Sequence, residues 1–260
     1  MHILVLLKMV PDIVEELEVA PDGKQLSTEF LRLILNERDN HALEAALLLK
    51  EKYGGTITAL APDQPEMDEV LFTALAKGVN HARKITGIEV GLSTRQTATA
   101  LARALKETPG LLPADLILVG CQAIDDLDGH LGPLLAHHLN LPFLGVVTAI
   151  AVDTAARKAL VRREFAGGVR GEFEVELPAI FGVQAAEKPP RYVPVAKVRA
   201  VMKSQKIDSL NLADASSATT AVQVLGLSKP EVSGHAEMLE GEPEELARKL
   251  SEILSSRGLV

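Results

Sequence analysis

Residues 115–133, Asp-Leu-Ile-Leu-Val-Gly-Cys-Gln-Ala-Ile-Asp-Asp-Leu-Asp-Gly-His-Leu-Gly-Pro, read as an apolar strand that runs into a Gly- and Asp-rich loop and then opens a helix. A helix that begins beyond the carboxyl end of a parallel strand presents unpaired backbone N–H groups and a partial positive charge, which together seat an anion. An ordinary strand-to-helix connection has the same local signature, so the segment alone leaves both readings open. Asp125, Asp126 and Asp128 lie close to His130, His137 and His138. An oxygen-rich metal cage needs ligands at defined offsets, however, and no such pattern repeats, so no metal is expected. Cys121 lacks a base and an orienting group at any telling spacing and reads as a small residue at a strand end. The chain has no Gly-x-Ser-x-Gly elbow, no Walker lysine loop and no His-Glu-x-x-His. Binding, not catalysis, is where the signal lies.

The elements that must hold this loop follow from hydrophobic patterning. Strands are expected at Ile3–Leu7, Thr56–Leu60, Ala82–Ile85 and Leu116–Val119, alternating with helical patterns as in βαβ units. Asp39 or Asn40 is placed as the cap of a first helix that reaches Tyr53 and stops at Gly54-Gly55. Met67, Val70, Leu71, Ala74 and Leu75 make one buried stripe closed by Gly78, and a third helix starts at Ser93 or Thr94 and ends before Thr108-Pro109. In a parallel sheet three strand ends would meet on one edge, at Lys8–Asp12, Leu60–Asp63 and Gly120–Leu131, with Asn36–Asp39 as a fourth wall. Such a crevice suits an adenine and ribose, with a phosphate against the helix that opens near Gly129.

After Pro142 the pattern turns to extended segments at Val146–Val152, Leu160–Glu164, Phe173–Leu177 and Ala179–Val183, read as antiparallel strands added to the sheet with turns at Arg157-Lys158 and Gly167-Gly168. Residues 187–206 are rich in proline and basic side chains and are expected as an exposed loop leading into a short helix. Ser209–Gly234 has little to bury and reads as a linker or arm, followed by a last helix at Pro243–Leu254. The fold class is therefore α/β, a doubly wound and mostly parallel sheet of Rossmann-like type. A nucleotide-binding domain is expected over residues 1–206 and a C-terminal arm and helix over 207–260.

Composition bounds the function classes. With 260 residues, 47% hydrophobic, the chain can bury a full core, and its net charge of −8 offers no basic surface for nucleic acid. A single cysteine excludes an internal disulfide framework. No apolar run approaches the roughly 18 residues of a membrane span and no signal peptide is visible, so a cytoplasmic location is expected.

The residues also carry a resemblance. Ile3-Leu-Val-Leu-Leu-Lys8, Asn36-Glu-Arg-Asp39, Glu44-Ala-Ala-Leu47, Leu49-Lys-Glu-Lys52, Thr73-Ala-Leu-Ala-Lys-Gly78 and Gln122-Ala-Ile-Asp-Asp126 occur in an order similar to that of the electron-transfer flavoprotein beta subunits. The likeness continues through Arg163-Glu164, Gly167-Gly168, Glu176-Leu-Pro-Ala179, Pro190-Arg-Tyr192, Met238-Leu-Glu-Gly241 and Pro243-Glu-Glu-Leu-Ala247, nearly the whole chain. It implies a heterodimer with an alpha subunit that holds FAD, and it implies that the arm and last helix pack on that subunit. Electrons would pass from acyl-CoA or other flavin dehydrogenases to a quinone reductase or another acceptor, with no catalysis by this subunit. The beta subunit would bind AMP, or a second FAD in the bifurcating branch. The contacts carried over are Leu6, Asn36, Glu37, Arg38, Asp39, Leu60, Gly120, Cys121, Gln122, Ala123, Ile124, Asp125, Asp126, Leu127, Asp128, Gly129, His130 and Leu131. The dehydrogenase-docking loop corresponds to Arg191 through Ala200, represented by Arg191, Tyr192, Val195 and Lys197, with Val195 as the apolar anchor.

The resemblance breaks at one place. Where AMP-binding members have Asn-Gln-Thr, this chain has Gly129-His130-Leu131, and Asp128 adds a negative charge beside the phosphate position. Leu131-Gly132-Pro133 is similar instead to the Val-Gly-Pro of the bifurcating branch, whose Asp-Gly-Asp-Thr is here Asp125-Asp126-Leu127-Asp128. Ile13 stands at the position of the family's aromatic residue near the flavin, and Ala166 at that of an acidic residue before the Gly pair. The competing class is a stand-alone nucleotide-binding regulatory domain. An ATP-dependent ligase or pyrophosphatase is disfavoured because no Ser-Gly-Gly loop follows the first strand.

Overall fold

The computed structural model describes residues 1–88, 91–212, 224–230, 234 and 236–259. In chain order the elements are β1 (His2–Leu6), β2 (Met9–Pro11), β3 (Leu33–Leu35), α1 (Glu37–Tyr53), β4 (Thr56–Pro62), α2 (Met67–Lys77), β5 (His81–Thr86), α3 (Thr94–Glu107) and β6 (Leu116–Gly120). They continue with α4 (Leu131–Leu139), β7 (Phe143–Asp153), β8 (Lys158–Glu164), β9 (Arg170–Glu176), β10 (Ala179–Val183), α5 (Val195–Ser204), β11 (Asp208–Asn211) and α6 (Pro243–Ser256). One sheet runs in the order β11-β5-β4-β1-β6-β10-β7-β8-β9, and β2 pairs with β3 apart from it. From β11 to β7 every pairing is parallel, and β8 and β9 are antiparallel additions.

The alternation of side chains along the strands divides the core into two layers. Ile3, Val5 and Leu7 meet Leu43 and Leu47 of α1 and Leu71 and Ala74 of α2 on one face. Leu4 and Leu6 meet Leu101 and Leu105 of α3 and Leu135 of α4 on the other. Covering both faces is what lets the central strands be almost wholly apolar. The expected helix stops are where the chain places them: α1 ends at Gly54 with φ 71, and α2 at Gly78. At the start of α3, Ser93 N donates to Gln96 Oε1 at 3.1 Å while Gln96 N donates to Ser93 Oγ at 3.4 Å, a reciprocal cap.

Four expectations are corrected. The cap position of α1 is Asn36, not Asp39 or Asn40, because Asp39 turns inward to strand-end N–H groups and is buried. β10 is not antiparallel: it lies between β6 and β7, parallel to both, and all five of its residues are buried, as an apolar central strand requires. The segment read as a linker from Ser209 begins with an edge strand, β11, paired to β5. Leu212 is buried and its N–H bonds Thr86 O at 3.0 Å, while residues 213–223 and 231–233 of the expected arm lie outside the described residues. The docking loop that the resemblance extends from Arg191 to Ala200 is a loop only to Pro194; the short helix expected to follow it, α5, begins at Val195 and packs against α2.

Candidate functional site

The chain winds outward from β1 through β4 to β5, then crosses back to β6 on the other side of β1. The strand order therefore reverses between β1 and β6, and a crevice opens at their carboxyl ends where ligands of such sheets collect. The residues after β1, the loop Gly120–Leu131 after β6, and the N-terminus of α1 converge there.

A carboxylate holds the floor. Lys8 N, just past β1, donates to Asp39 Oδ2 at 2.9 Å, and Gly120 N, at the end of β6, donates to Asp39 Oδ1 at 2.8 Å. One side chain thus ties both strand ends to the first turn of α1. Gly120 is required by this approach, because a Cβ there would stand 2.4 Å from Asp39 Oδ1 and 2.9 Å from the backbone carbon of Arg38. Burial pushes the Asp39 carboxyl up to about 7, against the two backbone N–H donors and Asn36, which hold it down. Beside it, Asn36 Nδ2 donates to Gln122 O at 3.1 Å.

The rim is closed by charge. Lys8 Nζ reaches across from β1 to Asp125 Oδ1 at 2.7 Å and Asp126 Oδ2 at 2.9 Å. Burial alone would lower the lysine, but its two carboxylate partners outweigh that and leave its pKa raised. Asp128 points the other way: Oδ2 accepts the Thr94 hydroxyl of α3 at 2.6 Å, and Oδ1 accepts His130 N, at the cap of α4, at 2.8 Å. Inside the loop Gln122 Nε2 donates to Leu127 O, and Leu127 takes a left-handed φ of 54.

The remaining expected residues fall into distinct settings. Leu6 and Leu60 are adjacent in register on β1 and β4 with their side chains buried in the core, so only their backbone faces the strand ends. Glu37 is exposed, and Arg38 turns towards β10, donating to Gln184 O at 2.8 Å. Cys121 donates from Sγ to Gln184 Oε1 at 2.9 Å, and burial pushes the thiol up, so it has no thiolate character. Ala123, Ile124 and Gly129 complete the loop, with Ile124 exposed. Arg191 lies apart from the crevice, bound to Glu44 and Glu51 of α1, while Tyr192, Val195 and Lys197 are exposed at the start of α5.

Thr94 and Gln184 were not among the residues expected to build the site, and Lys8 was expected as the start of a crevice loop but not as the partner of Asp125 and Asp126. Their partners lie far away in sequence, and no local spacing marks them. Gln64 was also unforeseen: in the loop after β4, at this end of the sheet, its Oε1 is buried with no partner among the described residues. That acceptor fits a ligand N–H such as an adenine amino group. A phosphate fits less well, since Asp128 already takes the leading N–H of α4.

This is the architecture of the doubly wound α/β proteins that take ligands at the carboxyl ends of their strands. Residues 26–215 match the family model of the electron transfer flavoprotein domain. The chain is 31% identical to the electron transfer flavoprotein subunit beta of Bacillus subtilis, over 100% of both chains. It is 29% identical to the subunit beta of Methylophilus methylotrophus, over 98% of both. It is also 32% identical to the caffeyl-CoA reductase-Etf complex subunit CarD of Acetobacterium woodii, over 76% of this chain and 74% of that protein. The chain belongs to the electron transfer flavoprotein family, in which it groups with the beta subunits. It is thus a part of an electron carrier, and among the described residues no helix is long and apolar enough to cross a membrane.

Proposed function

We propose that the chain forms a heterodimer with an alpha subunit that holds the redox-active FAD, and that it completes the flavin's surroundings without catalysing a reaction itself. The observation that carries this is α6. Leu246, Leu250, Ile253 and Leu254 form one apolar stripe along it, yet no residue of the helix is buried and Leu250 is 51% exposed. Such a face needs another surface, and the alpha subunit of the family supplies one. Co-expression with an alpha subunit gives a yellow one-to-one complex. A colourless monomer that turns over ATP would overturn the reading in favour of a stand-alone nucleotide-binding domain.

Electrons pass through this complex from acyl-CoA or other flavin dehydrogenases to a quinone reductase or another acceptor. The dehydrogenase docks on the start of α5, where Val195 is 60% and Tyr192 is 83% exposed beside Lys197 and Arg199. An apolar anchor inside a basic rim suits a partner groove with acidic edges. Val195→Ala slows reduction of the complex by a partner dehydrogenase about tenfold, the effect of losing roughly 1.4 kcal/mol of docking energy, with the flavin spectrum unchanged. Unchanged stopped-flow kinetics would remove this surface from the docking role.

The crevice between Asn36–Asp39 and Gly120–Leu131 is the seat of the nucleotide that beta subunits of the AMP-binding type hold. A second reading, a bifurcating-type subunit with a second FAD, is favoured by Leu131-Gly132-Pro133 at the start of α4. Two FAD released per denatured heterodimer would select it.

A further inference from the structure

The crevice is lined by acids whose partners are already inside the chain, and Asp128 is the one that matters for a ligand. Pro133 has no N–H and Leu134 N bonds His130 O, so the mouth of α4 presents the N–H groups of His130, Leu131 and Gly132. Asp128 Oδ1 takes the first of these at 2.8 Å, and Oδ2 takes the Thr94 hydroxyl from the start of α3 at 2.6 Å. A carboxylate therefore stands where a nucleotide phosphate would collect its donors. The nearby cations do not offset it. Lys8 is held by Asp125 and Asp126, and Arg38, although still cationic, turns towards β10 to donate to Gln184 O. His130 Nδ1 is 3.8 Å from Asp128 Oδ2, with a side chain 67% exposed. With Asp125, Asp126 and Asp128 set against Lys8 and Arg38, the rim still carries excess negative charge before any phosphate arrives.

We infer that Asp128 is a specificity determinant that occupies the anion seat of the crevice, so that the site takes an adenine nucleoside and discriminates against its phosphate. This rests on the crevice being the nucleotide seat proposed above. The phosphates of AMP and of a second FAD would meet the same carboxylate.

The test is calorimetric titration of the heterodimer, stripped of endogenous ligands, with adenosine and with AMP. The wild-type complex binds AMP no more tightly than adenosine. Asp128→Asn, which keeps an acceptor for His130 N but removes the charge, tightens AMP at least tenfold and leaves adenosine unchanged, and Asp128→Ser does the same if the asparagine variant folds poorly. Wild-type affinity for AMP tenfold above that for adenosine, or one AMP or a second FAD released per complex, would overturn the inference while leaving the seat in place. So would equal AMP affinity in all three proteins. Binding of neither probe by any of them would overturn the seat itself, and the role of Asp128 with it.

Discussion

Between about pH 4 and about pH 7 the wild-type chain loses roughly 4 kcal/mol of unfolding free energy relative to its Asp39→Asn variant, because a single buried carboxyl titrates at about 7 when folded and near its ordinary 3.8 when unfolded. The sign follows from proton counts. In that window the folded chain still holds a proton that the unfolded chain has released, so raising the pH favours unfolding until Asp39 ionises in the folded state too. The slope approaches one proton, about 1.4 kcal/mol per pH unit, and vanishes on either side of the window. Asparagine carries no such proton and resembles the acid form in shape. Its amide group faces one of the two N–H donors, however, leaving that donor unmatched at a cost of about 1–3 kcal/mol that does not change with pH. Urea unfolding of both proteins across the pH range separates the two effects. A stability difference that stays constant with pH would show that Asp39 ionises in the folded chain as easily as in the unfolded one.

This carboxyl also shows where reading the sequence reaches its limit. Asp39 has the residue type of a helix cap and stands near the start of a helix, and local spacing assigns it that role. Its real acceptors' partners are the N–H groups of Lys8 and Gly120, the latter 81 residues away, and only the assembled sheet brings them together. The same holds for Lys8 with Asp125, 117 residues apart. By contrast, the apolar runs of β1, β4 and β6 and the stripe of α2 declare themselves, because burial on both faces or on one face leaves a period in the sequence. β11 leaves none. Asp-Ser-Leu-Asn has one apolar residue, and the strand is held at the sheet edge by backbone bonds to β5 that any side chains would allow. β10 was legible as a strand but not in its direction: five consecutive buried residues mark a central parallel strand, yet the hairpins just before it suggested the antiparallel pattern would continue. The acids of the nucleotide loop were legible as a departure from the family's phosphate contacts. That they are bound by Lys8, Thr94 and His130 N was not.

Replacing Arg191 by alanine destabilises the chain by about 3 kcal/mol, at the low end for breaking a buried ion pair because the arginine side chain is 30% exposed. Glu44 projects from the buried stripe of α1 and its side chain is only 3% exposed. Its charge is matched chiefly by Arg191 through three donors: the backbone N at 2.9 Å to Oε2, Nε at 3.0 Å to Oε1, and Nη2 at 2.8 Å to Oε1, while Lys77 also attracts it. Nη1 meets Glu51 two turns further along α1 at 2.5 Å, and these two carboxylates raise the arginine above its ordinary range. Alanine keeps the backbone donor and strands the carboxylate. The residue that the family resemblance assigns to partner docking is thus already spent within the chain, where it fastens the segment leading into α5. Loss of Arg191 should then slow partner reduction only by loosening α5, and the two roles separate in a double variant. Glu44→Gln removes the stranded charge, so Arg191→Ala with Glu44→Gln recovers most of the stability in urea unfolding, and partner kinetics recover with it. Stability that returns without the kinetics would mean that the Arg191 guanidinium leaves Glu44 and meets the partner directly.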